Sequence, residues 1–129
     1  MRTSISFAAG ALALFTAAWA VAQEPTGRTE LKRADLDGGT MEVISSLAEF
    51  KPGEEVFRHS HPGIESGYVL QGAMVQFPGK EPVMMKAGTP IFNLRDAPHA
   101  GYTVVGDQSL KIYTVHIVDK GKPLYVHAK

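Results

Sequence analysis

The sequence contains no cysteine among its 129 residues. Disulfide bonds are therefore excluded, even though the N-terminus described below predicts export to a compartment where they form. Thiolate metal ligands are excluded as well, which rules out structural zinc sites of the cysteine type. Any metal ion in this chain has to be bound by histidine and carboxylate side chains.

An excess of charge of one sign is also missing. The chain has 13 basic and 13 acidic residues. Residues 1–22 contain one basic residue, Arg2, and no acidic one, so the remainder carries 13 − 1 = 12 basic and 13 acidic residues, a net charge of −1. This balance does not favour nucleic acid or anionic lipid as a partner. A P-loop, a dinucleotide-binding fingerprint and a recognisable catalytic triad are absent from the sequence.

The N-terminus has the features of a secretory signal peptide. Arg2 precedes an apolar run over 5–21, which ends in the A-x-A-like sequence Ala20-Val21-Ala22. Small residues at this position are typical of a signal peptidase site, so we predict a signal peptide over 1–22 and a periplasmic or secreted mature protein. A retained membrane anchor is the alternative, which the alanine-rich composition of the run disfavours.

Beyond residue 22 the sequence predicts short strands and no helix. No stretch has helical periodicity capped at both ends, whereas apolar segments separated by Gly or Pro recur at about 8–12-residue spacing. This pattern is typical of a sandwich or barrel of antiparallel strands. We predict one domain over 41–129, preceded by a leader segment over 23–40. The predicted strands are 41–50, 56–61, 66–70, 73–77, 83–86, 91–94, 99–105, 110–119 and 124–127, with an edge element at 31–36.

Two histidines one residue apart stand in the middle of the chain. On a strand, His59 and His61 would point to the same face, because side chains alternate with a period of two. Pro62-Gly63 then turns the chain, so that Glu65 can return toward the same point on a neighbouring strand. Two neutral imidazoles and a carboxylate suit a divalent transition metal. An exposed hairpin tip is the alternative for these three residues considered alone.

A further candidate ligand, His99, follows the predicted strand 91–94. It directly follows Pro98, where a compact all-β site would need a fourth donor. Adding His99 to the earlier three residues favours a metal site over a hairpin tip.

The pattern resembles the cupin superfamily, whose members are small jelly-roll β-barrels. The first cupin motif is Gly, five residues, His-x-His, three or four residues, Glu, six residues, Gly. Every spacing of that motif is matched here by Gly53, His59, His61, Glu65 and Gly72.

The second cupin motif fits more loosely. Gly88 follows Gly72 after 15 residues, as in small bacterial cupins, and His99 is in place. The usual Pro-x-Gly step is absent, however, and Thr103 stands where Asn is usual. The loop around His99 is therefore expected to differ from the family pattern.

The resemblance implies an all-β fold, a single antiparallel jelly-roll β-barrel, with one divalent transition metal (Mn, Fe, Ni, Zn or Cu) per chain. It implies His59, His61, Glu65 and His99 as the metal ligands. Four protein ligands on an ion that prefers six leave two positions for water, substrate or dioxygen. The resemblance further implies a homodimer.

Three functions remain open from the sequence. The first is a metal-dependent oxidoreductase of dioxygenase type, similar to quercetin dioxygenase, acting on a small organic substrate. The second is a non-catalytic cupin that binds or senses a small ligand. The third is a non-redox isomerase, decarboxylase or lyase, which needs a general acid or base beside the metal. Only His116 and Tyr113 are visible candidates for that role.

Strand alternation extends the prediction to the surroundings of the metal. The candidates for an apolar pocket lining are Val75, Phe77, Phe92 and Tyr113, with ordinary core packing as the alternative for each. His116 points either into the barrel, as a catalytic residue behind the metal ligands, or out to solvent. Tyr102 is expected on the outside or at a dimer contact, and His127 is expected to be exposed.

Overall fold

The computed structural model describes residues 27–36 and 38–128. The predicted signal peptide, residues 1–22, lies outside the described residues, so its cleavage stays a prediction. Nowhere in the described part of the chain is there a helix long and apolar enough to span a membrane.

Eleven β-strands and no helix form within the described residues. In chain order they are β1 (Arg28–Asp35), β2 (Met41–Phe50), β3 (Glu55–Val56), β4 (His59–Ser60), β5 (Gly63–Gln71), β6 (Ala73–Gln76), β7 (Val83–Met85), β8 (Pro90–Asn93), β9 (Tyr102–Val105), β10 (Leu110–Asp119) and β11 (Val126–His127). The predicted all-β fold is therefore confirmed.

The strands pair antiparallel in three sheets. A five-stranded sheet has the order β1-β2-β10-β5-β8, a four-stranded sheet has the order β3-β9-β6-β7, and β11 pairs with β4. The expected barrel is not closed by hydrogen bonds, since these ladders remain separate. The two larger sheets instead face each other across a shared core.

Alternating side chains from both large sheets build that core. Inward-facing residues of β2, β5 and β10 pack against residues of β3, β6 and β9 in one apolar cluster. The members that are almost completely buried are Val69, Ala73, Val75, Val104 and Leu110. Their period of two is the one that a sheet with one buried face requires. The same alternation turns His116 of β10 inward.

The two longest predicted strands, 41–50 and 110–119, coincide with β2 and β10. The predicted strand 56–61 is interrupted: β3 ends at Val56 and β4 contains only His59 and Ser60. The chain therefore leaves regular pairing where the first cupin motif places its histidines.

Part of the predicted leader segment, 23–40, is integrated into the five-stranded sheet. β1 begins at Arg28, three residues before the expected edge element at 31–36, and pairs with β2 over its full length. Arg33 of β1 lies 2.7 Å from the carboxylate of Glu42, which is buried. Since a buried carboxylate requires a partner, this ion pair gives β1 a physical reason to dock. Where the domain begins as a folding unit stays a prediction.

Gly63 allows β5 to approach β10 closely beside the first motif. A Cβ atom at this position would overlap the carbonyl oxygen of Ile117 and lie 2.6 Å from the Cα of Val118. Both are backbone atoms of a strand held on either side by ladder hydrogen bonds, so neither can move away easily. Glycine therefore stands where the two backbones meet.

We predict that Gly63→Ala lowers the free energy of unfolding by more than ~2 kcal/mol, because overpacking against a fixed backbone is costly. Gly53→Ala is the control. A Cβ at Gly53 meets no atom within 4 Å, and its φ of 89° adds only the left-handed strain, about 1–2 kcal/mol. Urea unfolding, followed by far-UV circular dichroism, measures the free energy of unfolding of both variants. Equal losses for the two variants would show that the close approach does not matter.

Candidate metal centre

Five ionisable side chains meet between the two large sheets. They are His59, His61, Glu65, His99 and His116. The imidazole rings of His59, His61 and His99 lie 4.4–4.9 Å apart, centroid to centroid. The structure thus brings together all four residues that the resemblance implied as metal ligands, and it adds His116.

Backbone pairing positions these side chains. His59 and His99 exchange two backbone hydrogen bonds, of 3.1 and 2.8 Å, so the predicted fourth donor is tied directly to the first. On the other side, Glu65 of β5 is paired with His116 of β10 and with Asn93 of β8. Three separate segments therefore deliver their donors to one point.

Each of the three motif histidines is oriented by a backbone carbonyl. Nδ1 of His59, His61 and His99 lies 2.7, 2.7 and 3.0 Å from the carbonyl oxygens of Phe57, Leu124 and Ala97, respectively. Because a carbonyl oxygen only accepts, Nδ1 carries the proton in each neutral ring. The lone pair of each ring is then on Nε2, as metal ligation requires.

The Nε2 atoms of His61 and His99 approach the carboxylate of Glu65. Oε2 of Glu65 lies 3.5 Å from Nε2 of His61 and 3.2 Å from Nε2 of His99. Two ligands bound to one ion at about 2.0–2.2 Å each are separated by similar distances. Asn93 donates a 2.6 Å hydrogen bond to the same oxygen, and Nε2 of His116 lies 3.4 Å from Oε1.

Several ring nitrogens of the cluster have no hydrogen-bond partner in the described part of the chain. Nε2 of His61 and of His99 are buried and make no hydrogen bond with the described residues, and neither nitrogen of His116 does. Buried nitrogen lone pairs facing a carboxylate are unfavourable unless a cation or protons lie between them. A divalent ion fits this donor set, because imidazole and carboxylate are ligands of Mn, Fe, Ni, Cu and Zn.

The charge of Glu65 dominates the electrostatics. Burial alone would raise the pKa of Glu65, but His116, His61 and His99 together hold that pKa well below its usual range. Glu65 is therefore ionised at neutral pH. Burial opposes protonation of His99 too, yet its contact with Glu65 outweighs burial and raises the pKa of His99.

At His59 and His116, burial outweighs the other contributions and lowers the pKa of the imidazole. It lowers the pKa of His59 to about 4, against the contribution of the Phe57 carbonyl. It also lowers the pKa of His116, against the attraction of Glu65. Both rings are therefore neutral near pH 7, and His59 offers its lone pair without having to lose a proton first.

The loop that carries His99 departs from regular backbone geometry. Asp96 and Ala100 have φ angles of 58° and 61°, and Gly101 follows with 83°. A left-handed conformation costs a residue with a side chain about 1–2 kcal/mol. Asp96 compensates in part by donating its backbone N–H to the carbonyl of His61, at 3.0 Å. This loop replaces the Pro-x-Gly step that the sequence lacks.

A cavity of about 210 Å³ opens beside the histidine and glutamate cluster, and His59, Glu65 and His99 line it. It is smaller than the pockets of ~300–1,000 Å³ that hold drug-sized ligands. Its walls are mainly apolar, and no lysine or arginine is among the described residues that line it. Its polar side chains other than His59, Glu65 and His99 are Thr89, Asn93, Tyr102, Thr114 and Tyr125.

Most of the predicted lining residues lie elsewhere. Phe92 is 65% exposed, and Tyr113 points to the opposite face of β10 from Thr114. The neighbours Ile91 and Ile112 line the cavity in their place, because a shift of one residue along a strand exchanges the two faces. Of the other two candidates, Val75 belongs to the core cluster, whereas Phe77 is partly exposed and packs against Tyr102.

The expected position of Tyr102 was wrong. Its side chain is buried and lines the cavity, since β9 turns its even-numbered residues inward. Burial, with a contribution from the charge of Glu65, raises the pKa of Tyr102 above its ordinary value. The phenol therefore stays protonated at neutral pH.

Two contributors to the centre were missed in the sequence. Asn93 is not one of the positions that define the second motif. The pairing of β5 with β8 brings it to Glu65. Tyr125 packs its ring 4.9 and 5.0 Å from the rings of His59 and His61. Neither residue has a local sequence signal, because each acts through a long-range contact. His127 is exposed, as predicted.

Comparisons with known proteins identify the fold. Residues 46–116 match the model of the family described as Cupin domain. Among curated proteins, no match was found. Similar solved structures include a double-stranded β-helix protein from Klebsiella pneumoniae, with 18% identity and a TM-score of 0.54, over 79% of this chain and 83% of that one.

Two further solved structures are similar to this chain. The polyketide cyclase RemF from Streptomyces resistomycificus is 22% identical, with a TM-score of 0.54, over 81% of this chain and 75% of that one. The DMSP lyase DddQ from Ruegeria pomeroyi is 18% identical, with a TM-score of 0.53, over 88% of this chain and 57% of that one. At these identities the likeness shows the fold alone.

We predict that the purified protein binds one divalent transition metal per chain. His59→Ala and His99→Ala should each weaken binding by more than the ~10–100-fold that loss of an outer-shell partner causes, since each removes a direct donor. Elemental analysis after dialysis, together with titration of Mn²⁺ and Zn²⁺, measures stoichiometry and affinity. Glu81→Gln, at an exposed carboxylate, is the matched control. Metal content equal to that of the wild type in both histidine variants would contradict the assignment.

Proposed function

The chain belongs to the cupin family, and on this premise we propose that it is a metal-dependent oxidoreductase of dioxygenase type that acts on a small organic substrate. The proposal places His59, His61, Glu65 and His99 as ligands of one divalent ion. A single observation carries it: two overlapping clusters of metal-ligating side chains share His61, and three of the proposed ligands, His59, Glu65 and His99, line a small, mainly apolar cavity.

The chain's own residues would prepare the centre in two ways. Backbone carbonyls hold the imidazole rings with Nε2 toward the ion, and Asn93 fixes the Glu65 oxygen that faces His61 and His99. Apolar walls, including Phe50, Ile91 and Ile112, exclude water from the substrate. A redox-active ion held there would allow electron transfer between dioxygen and an electron-rich substrate.

The cavity favours a compact substrate without a strong negative charge. Its described lining offers no lysine or arginine to bind a phosphate or sulfate, while Glu65 adds a negative charge of its own. A substrate with one or two oxygen donors for the ion and an apolar remainder fits both features. Tyr102 and Thr114 place hydroxyl groups in the cavity wall and supply hydrogen bonds to such donors.

Redox chemistry is better supported than acid–base chemistry because the described residues that line the cavity include no free histidine, carboxylate or lysine besides the proposed ligands. Tyr113 points away from it, and His116 lies behind Glu65, completely buried. We propose that His116 acts through Glu65, by facing Oε1 and so orienting the carboxylate. The remaining titratable groups in the lining, apart from the proposed ligands, are Tyr102 and Tyr125.

A non-redox lyase or isomerase is the second candidate, and Tyr102 is the observation that favours it. Its side chain lines the cavity. Burial and then the charge of Glu65 raise the pKa of Tyr102, and a divalent ion nearby would offset the second of these contributions. Tyr102 would then move a proton to or from the substrate. Under the oxidoreductase proposal it serves only as a hydrogen-bond donor.

We predict oxygen consumption when the iron, manganese or nickel form meets a flavonol, enediol or thiol substrate. An oxygen electrode combined with product analysis measures it, and His99→Ala should abolish it. Tyr102→Phe should change the rate less than ~3-fold, whereas loss of a general acid or base typically costs 10²–10⁴-fold. Turnover under anaerobic conditions that Tyr102→Phe removes would establish the lyase instead. A broad screen without any turnover would favour a non-catalytic, ligand-binding cupin.

We further propose that the protein is exported and forms a homodimer. Export is supported by the signal-peptide features of residues 1–22. The dimer is supported by the outer face of the five-stranded sheet, opposite Glu65 and His116. Apolar side chains on neighbouring strands of this face are exposed by 36–65%, and they are Leu47, Ile64, Tyr68, Phe92 and Ile117. Such a contiguous apolar patch is typical of an interface.

We predict that Phe92→Asp makes the protein monomeric, because a carboxylate at the most exposed position of this face would be desolvated on association. Light scattering coupled to size-exclusion chromatography measures the mass in solution. Met84→Asp is the control, since Met84 is 52% exposed on β7 of the other large sheet. A monomeric wild-type protein, or a dimer that Phe92→Asp leaves intact, would refute this interface.

A further inference from the structure

We propose that residues 124–128, called the strap below, help to form the proposed metal centre. Leu124 and Tyr125 act in it as positioning residues. The proposal rests on the proposed metal function and adds a segment that the cupin match does not cover, since that match ends at residue 116. The strap determines how His59 and His61 are oriented and limits access to the ion from one side.

Backbone pairing holds the strap across the first motif. Val126 and His127 of β11 pair with Ser60 and His59 of β4. Beyond this short ladder, Ala128 donates its backbone N–H to the carbonyl of Arg58, at 3.0 Å. The strap thus runs antiparallel to the segment that carries the two histidines.

One contact orients a proposed ligand directly. Nδ1 of His61 donates to the carbonyl oxygen of Leu124 at 2.7 Å, and this bond joins residues 63 positions apart. His61 is 1% exposed, so water cannot take the place of that carbonyl. Without the strap, the His61 ring would lose the partner that keeps its proton on Nδ1 and its lone pair on Nε2.

A second contact acts on His59 through Phe57. The carbonyl of Phe57 accepts the Nδ1–H of His59, and the Phe57 ring stacks on His127 of the strap with centroids 4.0 Å apart and planes within 14°. His127 therefore steadies the residue that orients His59. His99 is anchored separately, by Ala97 in its own loop. The strap accordingly controls two of the three imidazoles and leaves the third alone.

Tyr125 closes the centre on the strap side. Its buried ring packs edge-on against His59 and His61, and it also lines the cavity. The ring thus occupies the space through which water would otherwise reach the ion from this direction. Removing it should speed metal loss even where the four donors remain.

The first experiment measures, in metal-free protein, how the strap affects the tautomers of the histidine rings. Nitrogen-15 spectra of the imidazole rings at pH ~8.5, where neutral histidine dominates, show which nitrogen carries the proton. In the metal-free wild type, His59, His61 and His99 should all be protonated on Nδ1. In the double variant Tyr125→Ala/Ala128→Pro, which removes the packing and the bond to Arg58, His61 should become a mixture of both tautomers while His99 stays unchanged.

His99 is the internal control for general loss of structure. Equal changes at His61 and His99 would mean that the variant only loosens the fold, and an unchanged His61 would mean that the strap does not orient it. Either result overturns the proposal. Ala128→Pro alone provides the same comparison, with a smaller expected change, in case the double variant does not fold.

The second experiment measures metal release. Zn²⁺-loaded protein is mixed with excess chelator, and the dissociation rate is followed by absorbance. Tyr125→Ala should release Zn²⁺ at least ~10-fold faster, the lower end of what outer-shell losses cause, and Tyr125→Phe should remain near the wild-type rate because the ring is kept. Leu110→Ala, a buried change at the far end of β10, controls for lost stability.

The two experiments separate the strap from the metal. A wild-type protein that does not bind Zn²⁺ defeats the proposed function, whereas the tautomer pattern still tests the strap. If the wild type binds Zn²⁺ and Tyr125→Ala releases Zn²⁺ at the wild-type rate, Tyr125 does not act as a barrier. The same conclusion follows if Leu110→Ala speeds Zn²⁺ release as much as Tyr125→Ala does.

Discussion

The crowding of four acceptor groups inside the fold is the constraint on which this structure depends. The Nε2 atoms of His59, His61 and His99 and the carboxylate of Glu65 would repel one another in the absence of a shared positive charge. Each imidazole is nevertheless fixed by a backbone carbonyl in the tautomer that turns its lone pair inward. Such an arrangement is unfavourable as a packed core and favourable as a cation site.

The regular part of the fold supplies rigidity, and the irregular part supplies the donors. β5 and β10 pair Glu65 with His116 inside a continuous ladder, and Gly63 lets their backbones meet closely. The histidines of the first motif lie where pairing is interrupted, and His99 lies in a loop with three left-handed residues nearby. The carboxylate is therefore held by the sheet, whereas the imidazoles are held by individual hydrogen bonds.

The sequence predicted what depends on local pattern. The long strands β2 and β10 are alternating apolar segments, and the spacing of His59, His61 and Glu65 indicates the candidate metal centre in the sequence itself. Predictions failed where a shift of one residue along a strand decides whether a side chain points into the core or toward solvent. Tyr113 was a candidate for the pocket lining and Tyr102 was expected outside, yet Tyr113 points away from the cavity and Tyr102 lines it, because a shift of one residue along a strand exchanges the two faces.

Contacts between distant residues could not be read from the sequence at all. Asn93 reaches Glu65 across the β5–β8 pair, and Leu124 reaches His61 across 63 positions. Neither residue type is unusual, and neither stands in a motif. Tertiary pairing alone gives them a role, which is why the first motif indicated the candidate metal centre but not the contacts that hold its side chains in place.

Assembly of the centre is for the same reason tied to folding as a whole. His59 is oriented locally by Phe57, but its backbone is fixed by His99, forty residues later in the chain. His61 needs residue 124, and Glu65 needs strands from two other parts of the chain. An unfolded chain therefore presents isolated imidazoles with no common geometry. A metal ion that binds the assembled donors stabilises the folded state by mass action, and the buried lone pairs that oppose folding without an ion become bonds when one is present.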